Sequence, residues 1–184
     1  MKLTRENTIA LIVDLQEKLI PAMRDSARLL EHSIFFLKGL GVYSTQVVHT
    51  RQYPKGLGDT LAEIRELTPT ALTFDKTTFS CLETAAIRDY FVGDARPNVL
   101  LAGIEGHICV QQTALDLLEL GKRVYLICDC VSSRDPYDLQ VSIQRMTLSG
   151  IIPTTSESAL YEIAHAAGSS EFKALGKLAR DRKI

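Results

Sequence analysis

The chain predicts a single α/β domain: a doubly wound, Rossmann-like, six-stranded and mainly parallel sheet with helices on both faces. Three observations predict it. The 184 residues are 46% hydrophobic, enough to bury one full core without requiring a second domain, so 1–184 reads as one unit. Short β-rich runs alternate with longer amphipathic segments from one end to the other. The short runs are also almost continuously apolar, as strands covered on both faces are, where half-exposed strands would alternate.

The first run, TIALIVD at 8–14, ends in Asp14, which is placed to cap a short helix after it. A following helix containing Phe35, Phe36, Leu37 and Leu40 carries more apolar surface than one buried face requires, which points to a homo-oligomer, a dimer or larger. STQVVHT at 44–50 is the second strand, and QYPKGLGD at 52–59, with one proline and two glycines, reads as a loop. ALTFD at 71–75 is the third strand, after which Lys76 begins a polar turn and Cys81 opens a helical stretch. NVLLAG at 98–103 is the fourth. From near His107 or Ile108 a helix follows, with Val110, Ala114, Leu117 and Leu118 on one stripe and Gly121 as its stop. RVYLICD at 123–129 is the fifth strand; Cys128 and Cys130, two apart, should share a face and pack against helices. Asp135 caps a helix with Pro136 in its first position. GIIPT at 150–154 is the last strand, and Thr154 with Glu157 has the capping-box spacing for a helix over 159–167.

Composition narrows the partners. With 21 Lys+Arg against 22 Asp+Glu the net charge is −1, which offers no broad attraction to nucleic acid or an anionic membrane, so a small molecule is the expected partner. Met1 to Thr8 is polar, and the apolar run Ile9 to Val13 is too short for a signal-peptide core or a membrane span, so a cytoplasmic location is expected. The four cysteines read as thiols. Without a CxxC pair, and with histidines scattered at 32, 49, 107 and 165, neither a zinc site nor another cofactor is expected.

In a doubly wound sheet, ligands bind beyond the carboxyl ends of the strands, where strand order reverses. Asp14, Lys76 and Cys109 each follow a strand and together supply an acid, a base partner and a nucleophile. Cys109 has the strongest position of the four thiols. It falls at a strand-to-helix turn, where free N–H groups and the helix dipole favour thiolate, so a pKa below the free value of ~8.5 is expected. Cys81 is the reserve nucleophile, with nothing acidic or basic evident around it. His107 is a poor partner for Cys109, because residues two apart on a helix point away from each other.

DLQ at 14–16, FDKTTFS at 74–80 and GIEGHICVQQTALDL at 103–117 together resemble the isochorismatase-like cysteine hydrolase superfamily. QYPKGLG at 52–58, DCVSSR at 129–134 and TTSESALYE at 154–162 extend the resemblance over nearly the whole chain, closest to the isochorismatase-domain-containing branch. The resemblance implies a catalytic triad of Asp14, Lys76 and Cys109. It also implies a cis peptide at Ile104–Glu105 that turns the Glu105 N–H, with the Cys109 N–H, toward a substrate oxygen as an oxyanion hole. Gln16, His49, Tyr53 and Phe79 are the candidate substrate-binding residues. Two departures matter: Arg51, Gln52 and Tyr53 stand where nicotinamidases carry metal ligands, and Gly106 stands where relatives often have threonine or alanine, which should enlarge the pocket floor. The implied activity is hydrolysis of a small amide or carbamoyl-type substrate through a thioester. The alternatives are an isochorismate-type vinyl ether hydrolase and a non-catalytic interaction or redox-sensing protein.

Overall fold

In the computed structural model, which describes residues 2–182, six parallel strands form one sheet in the order β3-β2-β1-β4-β5-β6. They are β1 (Thr8–Val13), β2 (Gln46–Gln52), β3 (Leu72–Lys76), β4 (Asn98–Ile104), β5 (Arg123–Ser132) and β6 (Ile152–Thr154). The order reverses between β1 and β4, whose residues are all buried. The edges are blunter: β3 is largely exposed, and β6 has three residues including Pro153.

The helices are α1 (Ser26–Val42), α2 (Pro54–Leu57), α3 (Ala62–Leu67), α4 (Ala85–Gly93), α5 (Gln111–Glu119), α6 (Pro136–Leu148), α7 (Ser156–Ala164) and α8 (Ser170–Arg180). Because side chains alternate across a strand, β1 feeds two cores. Ala10 and Ile12 pack with α1, α7 and α8 on one face, whereas Ile9, Leu11 and Val13 pack with Ile87, Phe91, Ala114 and Leu117 on the other. Among the described residues no helix is long and apolar enough to cross a membrane.

Several local expectations change. The apolar surplus of α1 is internal: Phe35, Phe36, Leu37 and Leu40 are all buried, because α3, α7 and α8 surround the helix where it leaves the sheet. It therefore gives no reason to expect a second copy. The 52–59 loop contains the short helix α2, started by Pro54. The helix after β4 begins as a π-helical turn, Gly106–Val110, before continuing as α5. Asp135 caps α6 as expected, accepting from the Tyr137 N–H at 2.8 Å. The cap of α7 is Thr155, one residue later than the spacing suggested, and that helix ends at Ala164. Cys128 and Cys130 serve opposite cores, because β5 bulges: Leu101 pairs with Leu126 but Gly103 with Val131. The bulge turns Asp129 to the start of α7, where it accepts from the Ser156 N–H at 2.7 Å.

At the reversal point β1 and β4 approach very closely. Gly103 pairs with Val13 at a φ of 119°, and a Cβ there would run into the Val13 carbonyl. Gly103→Ala should cost about 3 kcal/mol or more, read as a loss of urea midpoint at unchanged slope. A change under about 0.5 kcal/mol would show that the β1–β4 contact relaxes freely.

Candidate active site

Asp14 does not cap a helix. It leaves β1 in the left-handed region at φ 53°, its N–H donating to the Thr50 carbonyl at 3.2 Å. This turn sends its carboxylate inward, where it is fully buried. Oδ1 accepts from the Thr50 hydroxyl at 2.7 Å and Oδ2 from Lys76 Nζ at 2.7 Å.

Lys76, the last residue of β3, is equally withdrawn from solvent. An ammonium has three protons. Asp14 Oδ2 at 2.7 Å and Gln52 Oε1 at 2.6 Å take two, and the carbonyls of Thr78 and Phe79, both at 3.3 Å, share the third. Burial, the largest single influence, would lower the Lys76 pKa, but Asp14 first and then Cys81 and Cys109 together outweigh it and hold the group above its ordinary value.

Cys109 reaches the same place from β4. The Ile104–Glu105 peptide is cis, and the π-turn closes with the Val110 N–H donating to the Glu105 carbonyl at 3.2 Å. The Cys109 side chain thereby faces the core, 7% exposed, beside the Asp14 carboxylate. Its pKa is pushed up to about 12, by burial first and by Asp14 second; Lys76 pulls it down without prevailing. The expected low-pKa thiolate is thus replaced by a resting thiol. The physical reason is position: the π-turn sets the sulfur inside the core beside a carboxylate instead of at an open helix start.

The other sequence candidates divide. Tyr53 and Phe79, 53% and 56% exposed, follow β2 and β3 and meet Lys76 through their backbone, Tyr53 by its N–H to the Lys76 carbonyl and Phe79 by its carbonyl to the ammonium. Gln16 is buried, and its amide is committed to the 52–58 segment: Nε2 donates to the Gln52 and Gly58 carbonyls at 3.0 and 2.8 Å, and Oε1 accepts from the Gln52 N–H at 2.7 Å. It fastens the loop. His49 points away from Asp14, since it alternates with Thr50 along β2. It bonds Thr68 Oγ1 at 2.8 Å, and burial lowers its pKa to about 4, so it is neutral. Glu105 turns its carboxylate to Arg134 at 2.9 Å, and His107 bonds Ser133 at 2.9 Å, away from Cys109. Gly106 does not open the floor: Leu139 and Val131 fill the space its missing side chain leaves. Among the described residues no group of three or more His, Cys, Asp and Glu is arranged to hold a metal ion.

Two contributors were missed. Thr50 and Gln52 lie two apart on β2 and so share the face that meets Asp14 and Lys76; the parallel register, with Gln52 opposite Lys76, was the signal that could have found them. Cys81 is fully buried, its Sγ 3.8 Å from Thr50 Oγ1, and its pKa rises to about 11 through burial and then the Asp14 charge. It therefore has the acidic and basic neighbours that the sequence did not reveal, but no access to solvent.

The signs at Cys109 predict opposite effects for its two partners. At pH 8, Asp14→Asn should speed iodoacetamide alkylation of Cys109 by about tenfold or more, one pKa unit being tenfold in thiolate, whereas Lys76→Met should slow it. Peptide mapping of the alkylated thiol reads both, and a slower Asp14→Asn variant would contradict the assignment of a resting thiol.

Comparison with known proteins agrees with this architecture. The isochorismatase domain family matches residues 8–158. Isochorismatase domain-containing protein 1 of Salmo salar is 37% identical over 166 residues, 90% of this chain and 58% of the salmon protein, so the chain spans a little over half the length of that relative. The structure of MAR1 ribonuclease from Caenorhabditis elegans superposes with a TM-score of 0.93 at 32% identity, covering 100% of this chain and 95% of the nematode one. YcaC of Escherichia coli, described as an octameric hydrolase of unknown specificity, shares the fold with a TM-score of 0.90 at 16% identity over 97% of this chain and 90% of its own. A family match across most of the chain, with a relative at this identity over nine-tenths of it, makes this protein a member of the isochorismatase domain family.

Proposed function

We propose that this protein is a cysteine hydrolase that cleaves a small amide or carbamoyl-type substrate through a thioester on Cys109, with Asp14 as general base and acid and Lys76 as its fixed counter-charge. The observation that carries the reading is the buried Asp14–Lys76 pair at 2.7 Å with the Cys109 thiol beside the same carboxylate.

The charge balance selects the order of events. Asp14 carboxylate, Lys76 ammonium and Cys109 thiol sum to zero. Releasing the thiol proton to water would leave a net negative charge in a buried site, whereas passing it to Asp14 keeps the sum at zero. The proton therefore moves to Asp14 as sulfur attacks the carbonyl carbon. The developing oxyanion is met by the N–H groups of Glu105 and Cys109, each worth about 3 kcal/mol. The C–N bond breaks as Asp14 returns the proton to the leaving amine. A water then gives its proton to Asp14, attacks the thioester and releases the acid, and Asp14 reprotonates the sulfur. Lys76 has every proton engaged, so it holds charge and moves none. No step calls for a cofactor. Tyr53 and Phe79 are the exposed side chains that would meet the substrate.

Peroxide sensing is disfavoured, because it needs a ready thiolate and the Cys109 pKa lies near 12. A ribonuclease activity, the name carried by the nematode structure, has less support than a small substrate in a chain of net charge −1. Vinyl ether cleavage of isochorismate differs in forming no thioester. The test is a panel of simple amides, carbamoyl compounds, esters, isochorismate and RNA, with acid-quenched mass spectrometry of the protein. An acyl mass on Cys109 is expected during amide turnover, and Cys109→Ala should lose about 10³-fold or more in kcat. Full activity in Cys109→Ala would end the proposal; turnover of isochorismate alone without an adduct would replace it.

A cytoplasmic homo-oligomer completes the reading. The free thiols suit a reducing compartment. On α6, Tyr137, Val141 and Leu148 are 70%, 45% and 90% exposed at spacings of four and seven, one apolar stripe on the outer side, and the Escherichia coli neighbour is described as an octamer. Light scattering should give a dimer or larger; a monomer at all practical concentrations would refute assembly.

A further inference from the structure

We propose that Thr50 is the positioning residue of the base, gripping Asp14 at both its backbone and its carboxylate so that one carboxylate oxygen stays turned toward the Cys109 sulfur. The proposal rests on the hydrolase reading above and assigns a role to a residue that reading does not use.

Asp14 sits in the left-handed region at φ 53°, uncommon for a non-glycine residue although Asp adopts it more readily than most, and its neighbours fix it there. One of those neighbours is Thr50, whose carbonyl accepts the Asp14 N–H at 3.2 Å while its hydroxyl donates to Oδ1 at 2.7 Å. Both grips come from one residue inside β2, buried in the sheet and β-branched, so its side chain has little rotamer freedom. The carboxylate torsion, by contrast, is intrinsically broad. Lys76 alone would leave the group free to turn about Oδ2, because an ammonium attracts from one point. A second donor on Oδ1 removes that freedom and leaves the remaining lone pairs for the thiol.

The polarity of the contact is unambiguous. An ionised carboxylate only accepts, so the single Thr50 proton is committed to Asp14, and the Thr50 oxygen is left as an acceptor. Cys81 lies on that side, its Sγ 3.8 Å away, and is held as a thiol able to donate. The order through Thr50 is therefore Cys81 S–H to Thr50 O–H to Asp14 carboxylate, with Thr113 the other hydroxyl beside the Cys81 thiol. This also gives the second buried thiol a purpose compatible with its inaccessibility: it completes the hydrogen bonding of Thr50.

The experiment compares Thr50→Val, which keeps the shape and removes the hydroxyl, with Thr50→Ser, which keeps the hydroxyl. On the amide found by the panel, Thr50→Val should lower kcat by about tenfold or more with KM within about twofold, while Thr50→Ser stays within about threefold of the parent kcat. Urea unfolding of each variant checks that the fold persists. Parent-like kcat in Thr50→Val overturns the proposal, as does a Thr50→Ser variant as slow as Thr50→Val, since packing and not the hydroxyl would then be at work. If the parent protein hydrolyses nothing in the panel, the hydrolase reading fails separately, and Thr50 is judged by iodoacetamide. Release of the carboxylate should move the Cys109 alkylation rate of Thr50→Val toward that of Asp14→Asn, with Thr50→Ser unchanged. An unaltered rate in Thr50→Val then overturns the positioning role.

Discussion

The arrangement depends on one interaction, the ion pair between Asp14 and Lys76, both without side-chain exposure and 2.7 Å apart. Taking two charges out of water costs several kcal/mol per ion, and mutual attraction repays it only where the remaining hydrogen-bonding capacity is met. Here it is met: the Thr50 hydroxyl serves the carboxylate, and Gln52 with two backbone carbonyls serves the ammonium. The pair lies beside the point where strand order reverses, and the close β1–β4 approach there leaves room for nothing larger than glycine at 103. Fold and site are thus specified by the same few residues.

Strand β2 illustrates how the sheet divides labour. Thr50 and Gln52 face the ion pair, whereas His49 and Arg51, on the other side of the same backbone, bond Thr68 and the carboxylates of Asp59 and Asp75. A parallel sheet allows this because every strand meets a covered face on each side. It also explains why histidine at position 49 takes no part beside Cys109 although it is near in sequence to residues that do.

What could be read in advance follows from the range of the signals. Strands announced themselves, since a run such as NVLLAG is apolar for a reason local to the run, and the clustering of Asp14, Lys76 and Cys109 followed from strand ends together with the family resemblance. The Asp135 cap was legible because its partner is two residues away. Features set by distant contacts were not. The surplus apolar surface of α1 could be assigned to self-association or to α3, α7 and α8 only once those helices were in place. The β5 bulge, which sends Cys128 and Cys130 to opposite cores, leaves no mark in a pattern of period two. The Cys109 pKa was misjudged in sign for the same reason: a helix start is a local feature, whereas the burial and the carboxylate that outweigh it arrive from β1 and from the core.

That reversal of sign suits a hydrolase better than the expectation it replaces. A permanent thiolate would be nucleophilic but would leave no proton in the site for the departing amine, which is a poor leaving group unless protonated. In the proposed mechanism a thiol beside a carboxylate stores that proton where it would be used and keeps the cluster neutral before and after transfer. Lys76 also ties the buried pair to the segment after β3, because the ammonium that balances Asp14 binds the carbonyls of Thr78 and Phe79 there. Any change in that segment which withdraws a carbonyl leaves the Lys76 ammonium less well satisfied beside Asp14, so under the proposed mechanism the segment cannot be reshaped independently of the group that would move the proton.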